Sequence, residues 1–104
     1  MSYSGDFLGV AKTSGSAVSA TGSSVTLLSA NNDRRGASFY NYSEGVLFLK
    51  LGEGASSADF SVKLGSGSYY EMPLPMHTGA ITGIWTAETG SVMITEFSAP
   101  EFNY

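Results

Sequence analysis

From Val25 onward, short runs of Val, Ile, Leu, Phe and Tyr alternate with glycine-bearing turns, at the spacing of roughly 8 to 12 residues expected of a sandwich or barrel. Residues 25–28 are predicted as a first core strand, followed by the polar turn Asn31-Asn32-Asp33, whose side chains tolerate left-handed backbone angles. In 37–42 a period of two puts Ala37 and Phe39 on one face and Ser38, Tyr40 and Tyr42 on the other. Ser43-Glu44-Gly45 predicts a hairpin onto 46–51, where Leu47, Leu49 and Leu51 point inward. After a loop of small residues, Phe60, Val62 and Leu64 alternate with Ser61 and Lys63, so Leu47, Leu49, Phe60, Val62 and Leu64 are the expected interior. Gly65-Ser66-Gly67 reads as a hairpin turn into 68–72. Pro73-Leu74-Pro75 lacks two ladder donors and must be an edge or a crossing between sheets. Residues 81–86 and 91–97 form a last expected hairpin across 87–90, with Gly90 free to take a positive φ.

The first 24 residues have a different texture. Small residues alternate with Ser, Gly and Thr, and only Phe7-Leu8-Gly9-Val10 is apolar enough to pack. Nowhere do apolar residues recur at helical spacing for long enough to make an ordinary helix, and the Ser and Gly density disfavours one. The expected architecture is all-β: a single antiparallel β-sandwich or jelly-roll-like domain over 25–98. An extended or flexible N-terminal arm, 1–24, precedes it, and an aromatic C-terminal tail, 99–104, follows it.

Charge narrows the partners. Five Lys and Arg against nine Asp and Glu give a net charge of −4, which argues against a basic face for nucleic acid. Only 13% of residues are charged, while 13 Gly and 17 Ser make the surface hydroxyl-rich. There is no cysteine, which removes disulfides, thiolate nucleophiles and cysteine-ligated metal sites. No apolar run nears the roughly 18 residues of a membrane helix, and no basic region precedes an apolar block at the N-terminus, so neither a membrane partner nor a signal peptide is expected. Asn41-Tyr42-Ser43 matches a glycosylation sequon and is read as coincidental without a secretion signal.

Candidate chemistry is sparse. His77 is the single histidine and no G-x-S-x-G elbow accompanies it, so it is read as a half-exposed residue of the 73–78 crossing and not as a catalytic base. Asp33, Glu44, Glu53, Asp59, Glu71, Glu88, Glu96 and Glu101 are spread one per turn or strand, without a calcium-loop spacing; Glu71 and Glu96 could meet on neighbouring strands as a carboxylate pair. Gly65-Ser66-Gly67-Ser68 lacks the Gly-Lys-Ser/Thr of a phosphate loop. No catalytic, cofactor or metal residues are therefore expected. Arg34-Arg35 suits a buried or interfacial pairing with Glu71 or Glu96. Tyr69, Tyr70 and Trp85, with Tyr40 and Tyr42, are read first as core or subunit interface and second as a platform for sugar rings. An exposed row of Tyr40, Tyr42, Tyr70 and Trp85 would favour the sugar, a buried row the interface.

The combination from Arg34 to Phe97 also resembles a known class. Its parts are Arg-Arg-Gly leading a strand, an Asn-x-Ser turn, Leu47-Phe48-Leu49-Lys50-Leu51-Gly52, Phe60-Ser61-Val62-Lys63-Leu64 and Gly67-Ser68-Tyr69-Tyr70-Glu71-Met72-Pro73, followed by Thr78-Gly79-Ala80-Ile81-Thr82-Gly83-Ile84-Trp85 and Gly90-Ser91-Val92-Met93-Ile94-Thr95-Glu96-Phe97. Over about the last two thirds of the chain it is similar to small virion structural proteins of tailed bacteriophages. The resemblance implies a non-enzymatic capsid decoration or cement protein, assembled in the host cytoplasm onto the outside of the head. It also implies a homo-oligomer, a trimer in that class, with the major capsid protein or other virion proteins as partners. The alternative is a tail or fibre β module that binds host glycan or connects virion parts. The expected partner-binding residues are Phe7, Leu8, Val10, Arg34, Arg35, Tyr69, Trp85, Phe102 and Tyr104, the arm clamping neighbours by strand addition.

Overall fold

The computed structural model describes residues 12–100, which hold eight strands and no helix. In chain order these are β1 (Lys12–Ser19), β2 (Val25–Leu28), β3 (Arg34–Ser43), β4 (Leu47–Lys50), β5 (Val62–Leu64), β6 (Tyr69–Glu71), β7 (Ile81–Trp85) and β8 (Gly90–Ser98). They form two four-stranded antiparallel sheets, β1-β8-β3-β6 and β2-β7-β4-β5. The first strand pairs with the last, the second with the seventh, the third with the sixth and the fourth with the fifth. That is the pairing of one long hairpin. Wrapping it so that β3 also meets β8 and β4 also meets β7 gives a jelly-roll order.

The all-β expectation holds, with corrections at the start and at the turns. Residues 12–19, expected inside an extended or flexible arm outside the domain, are the edge strand β1, laddered onto β8 from Lys12↔Ser98 to Ser19↔Ser91 without a break. Its sequence carries little strand propensity of its own; the partner strand and the packing of Val18 against the core supply the rest. The arm residues Phe7, Leu8 and Val10 and the tail residues Phe102 and Tyr104 lie outside the described residues.

Three expected hairpins are crossings between the sheets. The Ser43-Glu44-Gly45 turn leads from β3 in one sheet to β4 in the other, Gly65-Ser66-Gly67 leads back from β5 to β6, and 86–89 leads from β7 to β8. The Pro73-Leu74-Pro75 crossing is as expected, with a cis Leu74–Pro75 bond. Gly90 sits at φ +106°, and any Cβ there would run into the backbone of Tyr42 and Ser43, so the last crossing requires glycine.

Between the sheets lie Phe39, Leu47, Leu49, Ile81, Val92 and Ile94, all essentially sealed from solvent. The faces read from period two on β3 and β4 are those observed. Gly83 makes room on the inner face of its own sheet, because a Cβ at that position would lie 2.9 Å from the Cδ1 methyls of Leu27 and Leu47, which reach over it from the strands on either side. Phe60 is a correction: it precedes β5, is 39% exposed, and packs outside the sandwich on Phe48 with ring centroids 4.9 Å apart.

Candidate functional site

Two buried polar clamps hold the ends of β3. At its start, the register shift between Arg34 and Gly36 on β8 turns Arg34 inward, where its side chain is sealed. Arg34 Nε donates to Glu96 Oε2 at 2.8 Å, Nη1 to the carbonyls of His77 and Gly79, and Nη2 to that of Ser29 at 2.7 Å. Asn31 Nδ2 reaches the same carboxylate oxygen and Ser98 Oγ. One guanidinium thus ties the β2–β3 and β6–β7 crossings to β8.

At the far end, Asn41 is fully buried. Its Nδ2 donates to the carbonyls of Gly45, Leu64 and Gly65, and its Oδ1 accepts from Ser43 Oγ at 2.6 Å and Trp85 Nε1 at 3.3 Å. It therefore knits the β3–β4 and β5–β6 crossings together. Because its carboxamide is consumed inside the fold, the Asn41 sequon offers no acceptor in the folded chain. Both clamps satisfy buried groups, and among the described residues no cluster of three or more His, Asp and Glu is placed to hold a metal.

The surface that stands out is the outer face of the β1-β8-β3-β6 sheet. Register aligns Ala17, Met93, Tyr40 and Tyr69 in one row across it, with Ser19, Ser91 and Tyr42 on one side. Gly15, Thr95, Ser38 and Glu71 follow on the other side, then Thr13, Phe97 and Gly36. Of the seven large hydrophobic side chains exposed among the described residues, Tyr40, Tyr42, Tyr69, Met93 and Phe97 share this one face. Tyr42 is 65% and Tyr69 59% exposed. The Tyr40 and Tyr42 rings stack at 6.2 Å. Phe97 lies over Gly36, where a Cβ would sit 3.4 Å from its ring.

Charge stays at the margin of this face, with Glu71 and Arg35 beside a depression of about 390 Å³ that Leu74, Met76 and Phe97 also line. At the opposite end a groove of about 400 Å³ runs past Tyr40, Tyr42, Ser43, Glu44, Ser66 and Thr89. An apolar, tyrosine-rich centre with charges outside it has the composition of a protein interface core.

The expected site residues divide accordingly. Tyr69 lies on the open face and Arg35 at its margin, both exposed. Arg34 pairs with Glu96, one of its two expected partners, but is internal and touches no surface partner. Trp85 is a correction: it is only 3% exposed and belongs to the Asn41 clamp. The aromatic row separates, with Tyr40 and Tyr42 exposed, Tyr70 half-buried against Phe39 and Trp85 in the core. His77 is half-exposed on its crossing, with Nε2 3.0 Å from the Ala80 carbonyl. Met93 and Phe97 belong to the face and escape the sequence reading, because β8 is apolar on both faces and alternation alone does not say which is inner.

Comparison with protein family models, with curated proteins and with solved structures finds no match.

Proposed function

We propose that this chain is a non-catalytic structural subunit of a virion, a decoration or cement protein whose open sheet face is buried against the outside of an assembled capsid. The observation that carries the reading is the concentration of Tyr40, Tyr42, Tyr69, Met93 and Phe97 on one sheet face with charge at its rim. Jelly rolls recur in viral coat and lectin domains, which is support by analogy of fold alone. The mechanism is mass action: a subunit that binds the assembled shell and not its separated parts stabilises the shell. The major capsid protein is the partner this reading names, and the virion is its location.

Co-sedimentation with emptied heads of the cognate tailed phage tests it. Saturable pelleting is expected, abolished by the triple substitution Tyr40→Ser, Tyr42→Ser and Tyr69→Ser; a chain that stays in the supernatant sinks the proposal. Removing an arm of residues 1–24 would strip β1 from β8, so an arm deletion has to stop at residue 11 to leave the described fold intact.

A second reading has one observation of its own. The stacked Tyr40 and Tyr42 rings beside the groove lined by Ser43, Glu44, Ser66 and Thr89 combine apolar ring faces with hydroxyls and a carboxylate, the chemistry that takes a sugar ring in a fibre or tail module. Glycan binding lost in Tyr42→Ser, with no capsid binding, would select it.

A further inference from the structure

The two sheets have four edges, and three are guarded. The β6 edge is three residues long, carries Glu71 and runs into Pro73 and Pro75. The β5 edge is also three residues long, with Lys63 at its centre. The β2 edge is four residues long and broken by a register shift between Thr26 and Leu28. Shortness, charge, proline and irregularity are the usual means by which a sheet edge is kept from pairing with another chain.

The β1 edge has none of them apart from a terminal lysine. It runs eight residues, Lys-Thr-Ser-Gly-Ser-Ala-Val-Ser, without a proline and without a break in its ladder to β8. Residues 12–17 are all exposed, and among the described residues no strand pairs with its outer side. In an antiparallel strand every second residue turns its N–H and C=O away from the existing partner, so β1 presents a regular row of donors and acceptors laterally.

We propose that this edge pairs with β1 of a second copy of the chain, antiparallel about a two-fold axis, to give one continuous sheet of order β6-β3-β8-β1-β1-β8-β3-β6. A second copy fits because the pairing is self-complementary. Side chains alternate faces, so only registers that oppose like-faced residues keep both open faces on one side. Of these, the two that overlap the eight-residue strands most fully put Gly15 or Ser16 on the axis. Either way Lys12, the strand's one charge, stands opposite an uncharged residue of the second copy, Val18 or Ala20. The outward side chains Thr13, Gly15, Ala17 and Ser19 are small. They leave the seam low between the two rows of Met93, Tyr40 and Tyr69. The isologous contact joins two open faces into one broad surface, and it makes a dimer where the class resemblance implies a trimer.

Light scattering on the purified full chain reads this without any capsid. The expected mass is that of two 10.9 kDa chains. Ser16→Lys, at an exposed position that points to the inner side of the edge, brings two ammonium groups together near the axis and is expected to halve the mass with the far-ultraviolet dichroism unchanged. Ser16→Glu alone is expected to do the same. A one-to-one mixture of the two variants is expected to recover the two-chain mass, which a general loss of folding would not. A wild-type mass of one chain or of three overturns the proposal. So does a two-chain mass that persists in Ser16→Lys, or a mixture of folded variants that stays at one chain.

Discussion

Over its central strands β7 and β4 the outer face of the β2-β7-β4-β5 sheet is covered by the chain itself, whereas the outer face of the β1-β8-β3-β6 sheet is covered by nothing among the described residues. On the first, the loop over 51–61 folds back: Thr82, an outward residue of β7, is only 4% exposed because its Oγ1 donates to the Gly52 carbonyl and accepts from Ala55 N–H. Phe60 closes over Phe48, and Lys50 reaches Asp59 at 2.6 Å. On the second, three tyrosines, a methionine and a phenylalanine face outward without such a lid. A small sandwich has enough loop to cover one apolar outer face, and the face left open is the one with the composition of an interface. The difference between the sheets therefore separates residues that hold the molecule together from residues available to a partner.

Arg34→Met should have the largest effect, because it removes the cation from a sealed clamp and leaves Glu96 and three carbonyls without it. Breaking a buried pair from one side costs about 3 to 5 kcal/mol. Urea unfolding would read this as a lower midpoint for the whole molecule, since Arg34 ties crossings that serve both sheets. A midpoint within error of wild type would show that the clamp is dispensable.

Thr82→Val sharpens the contrast between the faces. It keeps the side-chain shape, deletes the bond to Gly52 and leaves the Ala55 N–H, buried, without its acceptor. A loss of about 1 to 3 kcal/mol is expected. Hydrogen exchange should quicken through 51–61 while β3 and β8 keep their protection. Unchanged exchange in the loop would mean that the Phe48–Phe60 pair, and not Thr82, holds the cover down.

How far the sequence shows this contrast depends on the strand. On β3, where Ala37 and Phe39 alternate with Ser38, Tyr40 and Tyr42, period two separates inner from outer correctly. On β4 it finds Leu47 and Leu49. Around Phe60 it fails, since a sheet whose outer face is also covered has apolar residues on both sides, and the phenylalanine of the covering loop looks like the start of β5. The turns are legible as reversals but not as crossings. Two of the crossings are held by the buried carboxamide of Asn41, which collects carbonyls from 45, 64 and 65, a long-range arrangement with no local signature. β1 is hidden for a related reason, its strand state coming from β8. Of the open face, Tyr69 and the Tyr40 and Tyr42 pair are visible in the sequence, while Met93 and Phe97 are not.

The triple substitution Tyr40→Ser, Tyr42→Ser and Tyr69→Ser breaks the comparison on its open side. Exposed substitutions of this kind change stability by about 0.5 kcal/mol or less each. Aromatic anchors at an interface core are worth more than about 1 kcal/mol apiece, so partner binding should fall tenfold or more while the unfolding midpoint barely moves. A variant that unfolds much more easily would mean that the open face is structural, and one that still binds fully would move the interface elsewhere.

The smallest effect falls at the boundary between the two environments, where adjacent residues of β6 face opposite ways. Tyr69 points to solvent, and Tyr70 packs on Phe39 with ring centroids 6.2 Å apart. Burial disfavours the phenolate and raises the Tyr70 pKa above its ordinary value of 10.0. In the unfolded chain the phenol ionises first, so above pH 10 the unfolded state binds fewer protons than the folded one and stability falls as pH rises. The contribution is fully present below the unfolded pKa and is lost as the pH climbs through the folded one. Tyr70→Phe should leave the neutral-pH melting temperature nearly unchanged and flatten its decline above pH 10. Equal slopes in wild type and Tyr70→Phe would show that the phenol keeps its water, and that the inner side of β6 is as open as the outer.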